Sequence, residues 1–194
     1  MFRTPLLAAI ALAIAFGGGV SSAWYAIQAF EGVGVLAIGP WTAYPDAGTE
    51  RADPYWRARA ARKPAFPLGA GEGLAFVANE DSNGARLDRR CNYAVEGHAP
   101  PTRLWTLYPA DAALAPVGNA VGRANAMHSM QLLRKADGSF AIGVGPRPQG
   151  GNWQAIAGDG PFSLVFTLYD TPAAASSSIA DLALPAIKRI TCDE

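Results

Sequence analysis

The stretch Phe162-Ser163-Leu164-Val165-Phe166-Thr167-Leu168-Tyr169 decides the fold class, because Phe162, Leu164, Phe166 and Leu168 recur at every second position. A period of two lays all four on one face of an extended strand, whereas a helix would scatter them around its surface. Upstream, Met130-Gln131-Leu132-Leu133-Arg134 and Phe140-Ala141-Ile142-Gly143-Val144 flank Ala136-Asp137-Gly138-Ser139, a hairpin with an Asp-Gly turn. Further upstream lie Leu104-Trp105-Thr106-Leu107-Tyr108, Cys91 to Glu96 and Leu74 to Ala78, the last ended by the turn-forming Asn83-Gly84. Downstream, Ala186 to Cys192 follows Pro185 as a closing strand, after a small-residue loop over residues 171–181. Short strands separated by turn signals, with few helices between them, predict an all-β antiparallel sandwich of jelly-roll type rather than a βαβ sheet. This domain is expected over residues 71–194.

The 194 residues suit one core, half of them are hydrophobic, and only 16% are charged. Sixteen basic residues balance sixteen acidic ones, so the basic excess of a nucleic-acid binder is missing. Two cysteines and two histidines are too few for a disulfide scaffold or a four-cysteine zinc site, and no metal or cofactor is expected.

The N-terminus sets the compartment. From Thr4 to Phe30 there is no formal charge, and this exceeds the roughly 20 apolar residues a bilayer-crossing helix needs. Two readings stand: an anchor over residues 1–31 that meets the membrane through residues 5–30, or a signal peptide cleaved after Ser21-Ser22-Ala23. The anchor is favoured because apolar character resumes in Trp24-Tyr25-Ala26-Ile27, with the two aromatics where headgroups would lie. The small residues of Gly17-Gly18-Gly19 and Ser21-Ser22-Ala23 suit either close helix contact in the membrane or a flexible kink. Arg3 precedes the span and Glu31 follows it, so the positive-inside tendency leaves the N-terminus in the cytoplasm and exports the remainder. In an oxidising compartment Cys91 and Cys192 are expected to pair; closing a loop of about 100 residues is worth up to about 4.7 kcal/mol.

Residues 32–70 read as an irregular lead-in with one short helix, opened by Asp53-Pro54 and running towards Lys63. Its Arg57, Arg59, Arg62 and Lys63 form either a solvated basic face or a contact for anionic headgroups.

Chemistry is sparse. G-x-S-x-G, Walker, H-E-x-x-H and EF-hand patterns are all missing, and no catalytic residue is assigned. Glu72, Glu80, Asp81, Asp88 and Asp137 are the acids a glycosidase pair would draw on, with His98 and His128 in loops. A binding reading rests on aromatics: Trp41 and Tyr44, Trp56, Trp105, and above all Trp153. Trp153 follows the loop Gly145-Pro146-Arg147-Pro148-Gln149-Gly150-Gly151, and Arg147, Asn152 and Gln154 would supply polar contacts to a sugar or peptide. The competing reading makes Trp153 and Trp105 core plugs; Trp105, sharing a strand face with Leu107, is the stronger case.

Gly71-Glu72-Gly73-Leu74, Arg103 to Tyr108, Leu132-Leu133-Arg134, Asp137-Gly138-Ser139, Gly151-Asn152-Trp153 and Leu164 to Asp170 together resemble the DUF1214 family, over roughly residues 40–192. The similarity extends to its subgroup with a single N-terminal membrane segment. It implies a jelly-roll-like β-sandwich in the bacterial envelope, here a single-pass inner-membrane protein with its domain in the periplasm, and carries over no catalytic residue. Gln154-Ala155-Ile156 departs from the apolar residue and proline that more often follow the family's tryptophan. The expected function is a binding or scaffolding sandwich for a glycan or envelope protein, of unspecified oligomeric state. The alternative is an exported hydrolase acting on envelope glycan or ester.

Overall fold

A computed structural model describes residues 3–29, 34–61, 68–69, 71–119, 122, 124–172 and 182–192. Helix α1 (Arg3–Ala29) stands apart from the core, with the side chains of Leu6, Ile10, Ile14 and Phe16 exposed. Strands β1 (Leu36–Ile38) and β2 (Trp41–Ala43) follow, then a short helix α2 (Pro54–Ala60), then β3 (Gly73–Ala78), β4 (Cys91–Gly97) and β5 (Leu104–Ala110). The two-residue β6 (Met127–His128) leads into one 3-10 turn, and β7 (Phe140–Gly145), β8 (Asn152–Ala155), β9 (Ser163–Tyr169) and β10 (Ala186–Cys192) complete the chain.

Two sheets form the sandwich, one ordered β1-β2-β3-β9-β5-β6 and the other β10-β4-β7-β8. The chain crosses between them after β3, β4, β6, β8 and β9, which is the jelly-roll habit of alternating layers. The alternation read from the sequence holds: Leu164, Phe166 and Leu168 are fully buried and face Leu74, Phe76 and Ala78 on β3. Trp105 packs on Phe140 of the opposite sheet at 4.8 Å and on Phe166 at 5.1 Å, so it is a core residue, as its strand face implied. Each aromatic pair of this kind adds about 0.5–1.5 kcal/mol beyond area burial.

Two side chains lock the open edges of the sandwich. At one edge the Trp41 indole donates to the Pro185 carbonyl (2.7 Å), tying β2 to the segment before β10. Trp41 is completely buried beside Phe166, which excludes it as a surface aromatic. At the other edge the Asn152 amide bonds both backbone groups of Leu133 and the Ala141 carbonyl, at 2.8 to 2.9 Å.

That second lock explains a correction. Met130–Arg134 was expected to be a strand, but Ser129–Gln131 is a 3-10 turn and only the isolated bridge Arg134↔Phe140 survives of the ladder. The Asn152 side chain supplies the hydrogen bonds that a strand partner would have given Leu133, while Met130 and Leu133 face solvent. The Asp-Gly turn between them forms as read, with Lys135 N donating to Ser139 O. The lead-in also contributes β1 and β2 to the larger sheet. One pairing departs from the antiparallel expectation: β8 runs parallel to β7. The helix is capped as expected, Asp53 Oδ1 accepting from Tyr55 N and Trp56 N (2.7 and 3.1 Å). Arg62 and Lys63, and the loop over 173–181, lie outside the described residues.

Candidate functional site

Strand alternation assigns the exposed face of the smaller sheet. Asn152 and Gln154 point inward and are buried, so Trp153 between them turns outward and is half-buried. Across that face one register row runs Lys188, Ala94, Gly143, Trp153, and the next contains Ala186, Glu96 and Ala141. Adjacent strands lie about 4.8 Å apart, so Lys188 and Trp153 are roughly 14 Å from each other across a floor of alanine and glycine.

Glycine on this floor has a structural cause. A Cβ at Gly143 would run into the Gln149 side chain, and one at Gly145 into Asn92, because residues 146–151 fold back over the end of β7. That fold-back lets a six-residue loop return the chain parallel to β7. Asn92, itself buried, organises it: Oδ1 accepts from Arg147 N (3.3 Å) and Gln149 Nε2 (3.4 Å), while Nδ2 donates to Thr191 Oγ1 (3.3 Å). The Trp153 indole donates to the Gly145 carbonyl (3.1 Å), which fixes the ring against β7. Half-buried Ala94 and Ala141 remain on this face, with Trp153 and Gln149 on one side. The ion pair Lys188 Nζ to Glu96 Oε2 (3.0 Å) borders them on the other.

The structure therefore separates the residues the sequence grouped together. Trp153 and Arg147 belong to the exposed rim. Asn152 is committed to the Leu133 lock, and Gln154 Nε2 donates to the Ala124 and Ala155 carbonyls (3.2 Å each), so these two amides build the frame behind the rim. Ala94, Glu96, Ala141 and Lys188 were missed. The available signal was Gly143 and Gly145 inside a strand, which marks a close approach of another group. Cys91 and Cys192 form the expected disulfide, joining β4 to β10 at directly paired positions.

Of the acid and histidine candidates, His98 and Asp137 are brought side by side. His98 Nε2 donates to the backbone carbonyl of Asp137 (3.3 Å), not to its carboxylate. That carboxylate accepts from Ser139 N and Oγ (2.9 and 2.7 Å), and chiefly the hydroxyl bond holds its pKa below the ordinary value. Asp88 is likewise held low, first by its side-chain bond to Arg90. Asp81 is buried, caps its own turn through Asn83 N and Ala85 N, and pairs with Arg189 (3.3 Å). His128 lies on the larger sheet opposite Thr106, and its Nδ1 is buried with no hydrogen-bond partner. Among the described residues, no group of three or more His, Cys, Asp or Glu side chains is placed to hold a metal.

Comparison with known proteins gives a family and a fold. A family model described as "Protein of unknown function (DUF1214)" matches residues 72–173, about half of the chain. No curated protein matches. Among solved structures, the VPA0106 protein from Vibrio parahaemolyticus is similar with a TM-score of 0.60 at 17% identity, over 92% of this chain. An uncharacterized protein from Burkholderia cenocepacia gives a TM-score of 0.48 at 19% identity, over 89% of this chain. The chain spans 44% and 41% of the lengths of those two proteins.

Proposed function

The chain belongs to the DUF1214 family, a membership that specifies a fold and no activity, and from that premise we propose that it is a membrane-anchored binding module of the bacterial envelope. Its ligand is an envelope glycan, held on the outer face of the smaller sheet.

The observation that carries this reading is the rim around Ala94 and Ala141. An aromatic ring fixed against β7 beside a floor of alanine and glycine suits the C–H face of a sugar, while Glu96, Lys188, Gln149 and Arg147 supply donors and acceptors for hydroxyl groups. Rigidity supports the same reading. Asn92, Asn152 and Gln154 spend their amides on backbone and side-chain bonds behind the rim, so ordering it on binding costs little. The anchor is α1, whose span Arg3–Ile27 is long and apolar enough to cross a membrane. With Arg3 at its start, the N-terminus is cytoplasmic and the sandwich periplasmic, a compartment in which the Cys91–Cys192 bridge persists.

Calorimetric titration of the detergent-solubilised full chain with soluble fragments of envelope glycan tests the proposal. Saturable binding that Trp153→Ala weakens at least tenfold supports it. Binding unchanged in Trp153→Ala, or no heat with any glycan while an envelope protein is captured at this face, would contradict it.

A further inference from the structure

The end of the sandwich that receives the chain from α1 carries a second apolar feature. Leu36 of β1 lies level with Ala43, Phe76, Phe166, Leu107 and Met127, as the registers of successive strands show. Upstream of Leu36 the chain moves towards the end marked by Gly73, Tyr169 and Leu104. Downstream of Met127 the chain moves the same way, so Met130 reaches that same end. Met130 is 83% exposed and Leu133 is 70% exposed, although both are large and apolar. They are not loose: between them Leu132 packs against the core, and Asn152 bonds Leu133 through both backbone groups. A rigid segment that presents Met and Leu to water loses the free energy their burial would supply, about 1.5–3 kcal/mol each.

Charge beside them balances, with Arg103, Arg134 and Lys135 set against Glu72, Asp137 and Asp170. Arg103 is paired with Asp170 (3.1 Å), the Glu72 carboxylate accepts from Gly69 N, and Asp137 is engaged by Ser139. Arg134 reaches the Gly138 and Ser129 carbonyls (3.3 Å each), and the Lys135 charge acts on the Asp137 carboxylate. Distance completes the placement. Ala29 and Leu36 are seven residues apart, and even a fully extended connector reaches about 25 Å. Trp24 and Tyr25, exposed near the end of α1, mark the headgroup level just before it.

We propose that this end of the sandwich is a second membrane contact, with Met130 and Leu133 entering the headgroup–acyl boundary of the bilayer that α1 spans. The inference rests on the reading of α1 as an anchor. It gives the domain a fixed stance: the sandwich sits down on its membrane, and the disulfide end and the Gly145–Gly151 loop point away from it.

Single thiols introduced as Ile14→Cys, Met130→Cys and Ala112→Cys in the full chain, with the native disulfide closed, take an environment-sensitive fluorophore at one site each. The labelled chains are reconstituted in phosphatidylglycerol–phosphatidylcholine vesicles with and without doxyl-labelled lipid. The expected result is strong quenching at positions 14 and 130 and at least fivefold weaker quenching at 112, which lies in an exposed turn at the far end. Quenching at 14 with position 130 behaving like 112 would overturn the second contact while leaving the anchor intact. No quenching at 14 would overturn the anchor, and this inference with it.

Discussion

Asn152 shows how one side chain can decide both a fold boundary and a site. Its three hydrogen bonds close the edge between the sheets, and removing them leaves the Leu133 and Ala141 backbone groups without partners. Each lost hydrogen bond of this kind costs about 0.5–1.5 kcal/mol net. Asn152→Ala is therefore expected to destabilise the chain by about 3 kcal/mol, a fall of roughly 6–12 °C in melting temperature at this size, whereas Trp153→Ala should cost far less stability and most of the glycan affinity. Thermal unfolding of both variants checks the contrast. The pH dependence is also set by single residues. Asp88 and Asp137 have pKa values depressed in the folded chain, so their contribution is present above the ordinary carboxylate value and is lost as pH falls through the folded value. Burial raises Tyr93 and Tyr108, so what they contribute is present below the ordinary tyrosine value of 10.0 and is lost as pH rises through the folded values. Melting temperatures are expected to drop at both extremes, and Asp137→Asn should flatten the acid limb.

At the scale of elements, the disulfide ties β10 to β4, and among the described residues β4 is the only strand that β10 pairs with. Opening it releases a loop of about 100 residues in the unfolded chain, so reduction or Cys192→Ser is expected to destabilise by up to about 4.7 kcal/mol. The comparison is thermal unfolding with and without reductant, and a melting temperature unmoved by reductant would refute it. Long strands were legible because their large apolar residues recur with a period of two, as Phe162 to Tyr169 shows, although β9 is buried on both faces. The short strands were not: β1, β2 and β6 hold two or three residues each, too few for a period to register. Met130–Arg134 misled because its apolar residues satisfy a strand pattern while two of them face water. Trp153 was legible as a candidate from its loop, but the floor beside it was not, since Ala94 and Ala141 become a surface only when β4 and β7 pair. The locking roles of Asn152 and Gln154 depend on partners distant in the chain, which spacing does not reveal.

For the whole molecule, an apolar helix outside the core, a disulfide in the sandwich and a shaped sheet face fit one arrangement: a domain held at the membrane surface with its binding face exposed to the envelope. The intact mass of the protein recovered from membranes is expected to include residues 1–23, and a mass lacking them would remove the anchor. The most direct test of the central claim is backbone amide hydrogen exchange of the full chain with and without soluble envelope glycan. Binding at the proposed face predicts added protection in residues 146–155 and in β4 around Ala94, with residues 110–118 unchanged. Protection confined to another surface, or none at saturating glycan, would contradict it.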